Sequence, residues 1–231
     1  MFDSIQRGVD ALDDFSQTVS GRLRINSAEN PVWHFLYPAI RRFLRDHPDV
    51  NIEVIIDNNM VDMVTEGFDF GVRPINHVAQ DMVALQLSGE RPMAVVASDD
   101  YFSRFGLPAS PQELTRHRCI VPAFDAFSRI TEWEFIQEGQ LIRVTVPASL
   151  SFNNTTLVKQ ATLDGLGIAW IPRYAVEAEM HQGQLTEILY EQRFTYPPMA
   201  LYYPRNRHRT LAAQTLIHYL RPESQALAGA P

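Results

Sequence analysis

From residue 21 to residue 73 the chain alternates between segments typical of strands and segments typical of helices. The strand-like segments are 23–26, 52–56 and 68–73, and the helix-like segments are 35–44 and 61–64, the second ending at Gly67. A helix that connects two strands of one sheet makes those strands parallel, because it carries the chain back to its starting edge. This order therefore predicts an α/β fold with a parallel sheet.

The helix at 35–44 has two predicted starting points. Asn30 suits the N-cap position, with Pro31 as the first helical residue. Pro38 would then kink the helix, since proline lacks an amide hydrogen and its ring meets the carbonyl four residues earlier. Alternatively, the regular helix begins near Tyr37.

The rest of the chain mixes strands and helices. Further strand signals occupy 83–98, 131–136, 141–146, 150–152, 168–171 and 199–203, and helices are predicted from 99, 110 and 153, over 174–182 and over 210–220. Residues 137–140 predict a β-hairpin turn, and residues 224–231 a frayed end. We expect a first lobe at 21–97 and 198–231, a second lobe at 98–197, and a hinge at each of the two crossings.

Residues 2–19 form a separate amphipathic segment that ends at Gly21. Its apolar side chains recur at steps of three and four residues: Phe2, Ile5, Val9, Leu12, Phe15 and Val19. A stripe this narrow is typical of a helix that pairs with one partner helix rather than packing into a core.

Composition limits the function classes. The chain has 20 Lys and Arg against 27 Asp and Glu, a net charge of −7, whereas a domain that binds DNA by itself usually carries a basic face. Cys119 is the only cysteine, which fits a reducing cytosol and a small buried hydrophobe. No secretory signal and no apolar run of ~20 residues is visible. We expect a cytoplasmic protein with no membrane contact, although a processed periplasmic protein would look the same.

Four stretches resemble the effector-binding domain of LysR-type transcriptional regulators. They are GRLRI at 21–25, FLYPAIRRFL at 35–44 with HPDV at 47–50, VDMVTEGFDFGVR at 61–73 and ATLDGLGIAWIP at 161–172. The third is the most specific match. The four occur in the family's order and spacing, and the resemblance runs from about residue 2 to residue 221.

The resemblance implies a two-lobed fold of the type 2 periplasmic-binding-protein kind, with two crossover hinge strands and a metabolite in the cleft between the lobes. It implies that residues 2–19 are the end of a linker helix, that the winged helix-turn-helix head is absent from this sequence, and that promoter DNA is bound only through that head. Effector binding would change oligomer geometry and so transcription. No cofactor is expected.

The resemblance also implies an oligomer. In the family, dimers are side by side and antiparallel, which predicts a homodimer here and a homodimer or homotetramer for the full-length protein. The expected surfaces are the helix at 35–44 with the strand at 52–56, and the helix at 155–164.

The first candidate ligand contacts follow the first strand: Ser27, Ala28, Glu29 and Asn30. Ligands of open α/β sheets bind outside the carboxyl ends of strands, near helix N-termini. Glu29 would repel an anionic group and favour an amine, although a solvated carboxylate that supports the helix start is the simpler interpretation.

The second group is Asn153, Asn154 and Thr155, where one residue is expected to cap a helix and others to contact an anion. Arg73 ends a strand and could clamp a carboxylate or pair with an acid across the lobe interface. Ser128, Arg129 and Ile168 complete the predicted ligand-binding set; a solvated surface is the simpler interpretation of Arg129. Trp170 is expected to pack in the core.

Other chemistries lack a motif. The seven histidines show no metal-ligand spacing, Gly165 and Gly167 do not make a dinucleotide fingerprint, and no Gly-x-Ser-x-Gly elbow is present. We therefore expect no enzyme. The effector could be an amino acid, a carboxylate or an aromatic acid. A solute-binding protein of a transport system is the alternative function, and the pairing segment at 2–19 argues against it.

Overall fold

The structure, a computed structural model, describes residues 18–57, 63, 65–123, 131–206 and 209–221. The strands are β1 (Gly21–Ser27), β2 (Val50–Ile56), β3 (Phe70–Pro74), β4 (Met82–Gln86), β5 (Arg91–Ala97), β6 (Cys119–Pro122), β7 (Glu132–Gln137), β8 (Gln140–Thr145), β9 (Ala148–Phe152), β10 (Ile168–Pro172), β11 (Thr186–Ile188), β12 (Thr195–Tyr196) and β13 (Met199–Pro204).

The helices are α1 (Glu29–Pro31, a π-helical segment Val32–Leu36, and Tyr37–Asp46), α2 (Asp99–Phe105), α3 (Thr155–Leu163), α4 (Glu177–His181) and α5 (Leu211–Leu220). Short 3₁₀ segments are Ile75–His77, Pro111–Arg116, Arg173–Ala175 and Tyr190–Gln192. The predicted helices at 2–19 and 61–64 and the tail at 224–231 lie outside the described residues, apart from Thr18, Val19 and Met63, which are not helical.

The described chain divides into two compact units. The first unit ends at Gly89 and resumes at Pro197, and the second unit is Glu90–Tyr196. The sequence-based division placed residues 90–97 with the first lobe. In the structure β5 belongs to the second unit, because it pairs with β10, β11 and β12.

The first unit contains a five-stranded sheet in the order β2-β1-β3-β13-β4. β1 is parallel to β2 and β3, whereas β13 is antiparallel to β3 and β4. The predicted parallel arrangement of the first three strands is therefore confirmed.

Helix α1 accommodates Pro38 through a change of helical geometry. The amide of Tyr37 donates to the carbonyl of Val32, five residues earlier, and such a π-turn widens the helix before the proline ring. Regular α-helix then runs from Tyr37, as one predicted alternative had it. The prediction that Asn30 is the N-cap is wrong: Ala28 holds that position, and no side chain caps the helix.

The two faces of the first sheet differ in polarity. One face packs against α1 and α5, with buried Ile25 and Val72 of the sheet in the same apolar cluster as Phe43 and Leu216. The other face carries Arg24, Asn26 and Arg73 at alternate strand positions, beside a small cluster of Met63, Phe68 and Tyr202. The alternation along β1 and β3 thus separates an apolar core from a polar layer.

The second unit contains a sheet in the order β11-β5-β10-β6-β9, with β12 paired to β5. β10 is parallel to β6, and β6 is parallel to β9. Helix α3 covers one face through Val158 and Ala161. The other face buries Trp133 and Trp170, whose ring centroids lie 6.2 Å apart.

The predicted hairpin of the second unit is confirmed. β7 and β8 pair in register from Glu132 with Thr145 to Gln137 with Gln140. Glu138 and Gly139 form the turn at φ of 53° and 75°. Two successive positive φ values make the tight turn whose twist matches that of two antiparallel strands.

Candidate functional site

The parallel strands of the first unit end together at one edge of the sheet. Ser27, the last residue of β1, is in register with Ile56 of β2 and Val72 of β3. Asp57 and Arg73 follow these two partners directly. Because ligands of α/β sheets bind outside the carboxyl ends of the strands, this first edge is a candidate binding site.

The predicted contacts Ser27, Ala28, Glu29 and Asn30 lead from the first edge into α1. Ser27 is fully buried, and its Oγ donates to the carbonyl of Ala28 at 3.0 Å. Its hydroxyl is therefore used within the protein. Ala28, Glu29 and Asn30 are half-buried, and Glu29 stands in the first helical turn. A carboxylate there favours the helix through the helix dipole, and a ligand role for Glu29 stays a prediction.

Arg73 is buried, with 7% of its surface exposed. Its guanidinium donates to the carbonyl of Val72 at 2.8 Å, to Oδ1 of Asn26 at 2.7 Å and to the carbonyl of Asp57 at 3.4 Å. Burial lowers the pKa of Arg73, and the charge of Asp57 raises it in part. The guanidinium thus ties the ends of β1, β2 and β3 together through neutral oxygens, a role that sequence reasoning did not foresee.

Asn26 is a polar residue of the first edge that sequence reasoning missed. It is fully buried in β1, between Ile55 of β2 and Gly71 of β3. The available signal was an asparagine inside a predicted strand, since asparagine is depleted in strands. The residues around Asn26 alternate as they do in an ordinary strand, so the asparagine did not stand out.

Tyr202 of β13 is in register with Gly71 of β3, which is also the register partner of Asn26. A Cβ placed on Gly71 would lie 2.4–2.7 Å from the ring and hydroxyl of Tyr202. Position 71 therefore needs glycine, because the phenol ring occupies the space that any side chain would take. Burial raises the pKa of Tyr202, so its hydroxyl remains neutral at physiological pH.

The second unit has a corresponding edge. Pro122 of β6 is in register with Phe152, the last residue of β9, and Asn153, Asn154 and Thr155 follow. Asn154 caps α3, since its side-chain oxygen accepts from the amide of Leu157 at 2.8 Å. The predicted cap is confirmed. Asn153 is exposed and Thr155 is half-buried, and ligand contact by either stays a prediction.

Arg91 is a second residue that sequence reasoning missed. β5 runs antiparallel to β10 with Met93 opposite Pro172, so Arg91 lies beyond the carboxyl end of β10, at the second edge. It is 9% exposed, bonds to the hydroxyl of Tyr174, and lies 5.7 Å from the ring centroid of Tyr196. Burial lowers the pKa of Arg91 and raises the pKa of both tyrosines. The available signal was an arginine that opens an apolar strand.

One predicted contact, Ile168, is not brought to these edges. Ile168 pairs with Cys119 at the amino end of β6 and is fully buried. It lies at the opposite end of the sheet from Asn153, so we do not retain it as a ligand contact. Ser128 and Arg129 lie outside the described residues. Trp170 packs in the core against Trp133 and Tyr196, as expected.

Cys119 is fully buried in β6, and burial raises the pKa of its thiol to about 12. The interpretation as a small core hydrophobe is confirmed. Among the described residues, no three His, Cys, Asp or Glu side chains form a group that could hold a metal ion. Of the helices in the described part of the chain, none is both long and apolar enough to cross a membrane.

Comparisons with known proteins agree with this architecture. Residues 16–225 match the model of the LysR substrate binding domain family. The HTH-type transcriptional regulator PgrR of Escherichia coli K12 is 34% identical over 221 residues, covering 96% of this chain and 74% of PgrR. A putative transcriptional regulator of Pseudomonas aeruginosa is 30% identical over 231 residues, covering 99% of this chain and 76% of its own.

Solved structures show the same fold. The CrgA regulatory domain, from a LysR-type transcriptional regulator of Neisseria meningitidis, superposes with a TM-score of 0.76 at 21% identity, covering 88% of this chain and 98% of that one. The full-length Vibrio cholerae virulence activator AphB gives a TM-score of 0.77 at 20% identity, covering 95% and 74%. The α/β class and the two-lobed type predicted from the sequence are confirmed.

Proposed function

The chain belongs to the LysR substrate binding domain family, and from this premise we propose that it binds a small-molecule effector, with the polar groups at the carboxyl edge of its first sheet among the contacts. As the effector-binding domain of a LysR-type regulator, it would pass the binding event to the DNA-binding head of the full-length protein. The observation that carries the proposal is the buried polar cluster at the first edge, where the guanidinium of Arg73 donates to Asn26.

The chemistry of both edges favours an effector with oxygen acceptors. Arg73 and Arg91 place cationic groups there. We propose an amino acid, a carboxylate or an aromatic acid. Glu29, in the first turn of α1, supports an amine as a second group of that molecule.

A thermal-shift screen of amino acids, carboxylates and aromatic acids tests this function. An effector present at ~100 times its dissociation constant should add ~2.7 kcal/mol of stability. A stabilising compound would identify the chemical class. If no compound in a metabolite library of these classes stabilised the chain or altered promoter binding by the full-length regulator, the proposed effector class would be wrong.

Glu29→Gln tests the preference for an amine. If Glu29 faces the amine, the variant should weaken amine-bearing compounds and leave simple carboxylates unaffected or bound more tightly. Glu177→Gln is the matched control, since Glu177 also stands in the first turn of a helix. Equal affinity of wild type and Glu29→Gln for amines would show that Glu29 only supports the helix start.

We further propose that the chain acts as a cytoplasmic homodimer, and that the full-length regulator is a homodimer or homotetramer that binds promoter DNA through its head. The exposed outer face of α1 supports this: Trp33 and Tyr37 are 67% and 49% exposed and stack at 5.8 Å. Leu157 of α3 is 48% exposed. Burying such side chains against a second copy would stabilise a dimer.

Sedimentation at tens of micromolar would test the dimer. Trp33→Glu should dissociate it, whereas Leu107→Glu, which changes another exposed apolar residue at 63% exposure, should not. A monomeric wild type would contradict the proposed interface. The alternative of a transport solute-binding protein has less support, because the similar proteins are transcription regulators.

A further inference from the structure

Asn26 is the most unusual polar residue of the first edge. It is fully buried, and its side chain lies on the polar face of the sheet, opposite to the side that packs against α1 and α5. A side-chain amide has one acceptor oxygen and one donor nitrogen, and both require partners when water is excluded. The partners of these two atoms therefore define what the residue does.

Arg73 fixes the orientation of the side-chain amide of Asn26. The guanidinium can only donate, and it donates to the Oδ1 of Asn26 at 2.7 Å. Rotating the amide by half a turn would set the nitrogen of Asn26 against the nitrogen of Arg73, two donors facing each other. The Nδ2 group is therefore held on the other arm of the amide, as a donor.

That donor is not used by the described part of the protein. Among the described residues, Nδ2 of Asn26 has no hydrogen-bond partner, and it is fully shielded from solvent. Buried polar groups of native proteins are nearly always bonded, and an exception calls for an explanation such as a ligand. A positioned, unused donor at the carboxyl edge of a parallel sheet is suited to an acceptor that arrives with the effector.

We infer that Asn26 is a specificity-determining residue, which donates Nδ2 to a carboxylate or carbonyl oxygen of the effector, and that Arg73 is the positioning residue that holds Asn26 in this orientation. The inference rests on the proposed function, because it names the group of the effector that the first edge recognises. Arg73 also favours an electron-rich oxygen at this place through its charge.

Two isosteric probe pairs test the inference: acetate with acetamidinium, and benzoate with benzamidinium. In each pair the first compound only accepts hydrogen bonds at its planar end, and the second only donates. Thermal shifts and ¹H–¹⁵N spectra would be recorded for wild type, Asn26→Asp and Asn51→Asp with each probe at ~10 mM, a concentration that detects millimolar affinity. The side-chain amide signal of Asn26 is assigned by its loss in Asn26→Asp.

In wild type, the carboxylates should stabilise the chain and move the amide signal of Asn26. Asn26→Asp keeps the oxygen that Arg73 binds but removes the donor, so it should weaken carboxylate binding about 10- to 100-fold and favour the amidinium of each pair. Asn51→Asp makes the same change at an exposed position of β2 and should keep the wild-type order. Arg73→Lys keeps the charge but frees the amide, so the preference for carboxylate should shrink.

Carboxylates that move other signals but leave the amide of Asn26 unmoved would overturn the inference and leave the proposed function standing. An absence of any response to all four probes would also overturn it, and the metabolite screen would then decide the proposed function separately. If Asn26→Asp does not fold, the amide signal of Asn26 is assigned from triple-resonance spectra of the wild type, and its response to the probes decides between these outcomes.

Discussion

Arg73 and Arg91 are buried to nearly the same degree, 7% and 9% exposed, but different chemistry holds them. Arg73 donates to oxygens of Val72, Asn26 and Asp57. Arg91 bonds to one phenol and lies over the ring of Tyr196. Hydrogen bonds to oxygens need fixed directions, whereas contact with an aromatic face is tolerant of position. Arg73 therefore fixes the positions of the groups that it binds at the first edge, whereas the tyrosines at the second edge surround Arg91 without fixing its direction.

The largest expected effect distinguishes these two arginines. Arg73→Met should cost about 3 kcal/mol of unfolding free energy, because it removes the donor to two buried oxygens, of Val72 and Asn26, and to the part-buried carbonyl of Asp57. Arg91→Met should cost about 1 kcal/mol, because an unbranched apolar chain still packs against Tyr196. Urea unfolding of both variants measures the difference. Equal losses of unfolding free energy in the two variants would show that the type of partner does not matter.

The contacts of these arginines show which features of the structure the sequence alone does not predict. The strands at 52–56, 168–171 and 199–203, the hairpin at 137–140 and the cap in the group that includes Asn154 all depend on neighbours in the chain, and the structure bears them out. The partners of Arg73 do not: Asn26 and Asp57 are distant in sequence and meet it only through the register of β1, β2 and β3. Local pattern reasoning places the strands but cannot pair their side chains.

Two predictions differ from the structure, each for its own reason. Asn30 followed by Pro31 is a good N-cap signal, but α1 begins at Glu29, with Ala28 as the N-cap residue, and the π-turn before Pro38 lets the helix continue through the proline. The sequence at 83–98 has one continuous extended pattern, which does not mark the point at Gly89 where the chain passes from the first unit to the second. β4 and β5 are both apolar, and they join different sheets. Sheet membership depends on long-range pairing, which one sequence does not reveal.

Close packing also differs between the units, and glycine substitutions measure it. Gly71→Ala would place its Cβ 2.4 Å from the ring of Tyr202, and Gly167→Ala would place it 2.7 Å from the carbonyl oxygen of Arg118. Each should cost about 2 kcal/mol or more. In the first unit the obstacle is a side chain, so Tyr202→Leu should recover part of the loss in a double-mutant cycle.

Gly89→Ala is the control, since nothing lies within 4 Å of its added Cβ, and it should change stability by less than about 0.5 kcal/mol. Thermal unfolding of the four single variants and of the Gly71→Ala/Tyr202→Leu double variant provides the measurement. If Gly71→Ala cost no more than Gly89→Ala, Tyr202 would be free to move away, and the first edge would be less rigid than its hydrogen bonds suggest.

Helix starts give a smaller contrast. Asn154 caps α3 with its side chain, whereas Ala28 caps α1 with none. Asn154→Ala should cost about 1 kcal/mol, and Asn154→Ser should keep most of the stability. Ala28→Ser should stabilise the chain by up to about 1 kcal/mol, because Ala28 already has the extended backbone that a cap requires. Chemical unfolding that showed no loss in Asn154→Ala, or no gain in Ala28→Ser, would remove the contrast.

The smallest expected effect concerns arginines that are not buried. Arg22 and Arg24 share Glu53 at 2.8 and 2.6 Å, and the hydrogen bond from Arg24, followed by Arg22, holds the pKa of Glu53 below its ordinary value of 4.5. A carboxyl with a lowered folded-state pKa binds protons more readily in the unfolded chain. Its contribution to stability is therefore present above pH ~4.5 and is lost as the pH falls through the lowered value.

Glu53→Gln should flatten this acid part of the stability curve and change little near neutral pH, because exposed ion pairs contribute weakly. Urea unfolding between about pH 3 and about pH 7 would compare it with Glu90→Gln, which removes one surface carboxylate from the second unit. Added salt should reduce the Glu53 effect, since it screens exposed charges. A salt-independent effect would mean that Glu53 stabilises the chain through packing rather than through its charge. The contrast between buried arginines that bond to oxygens and exposed arginines that pair weakly would then not describe the contacts of Glu53.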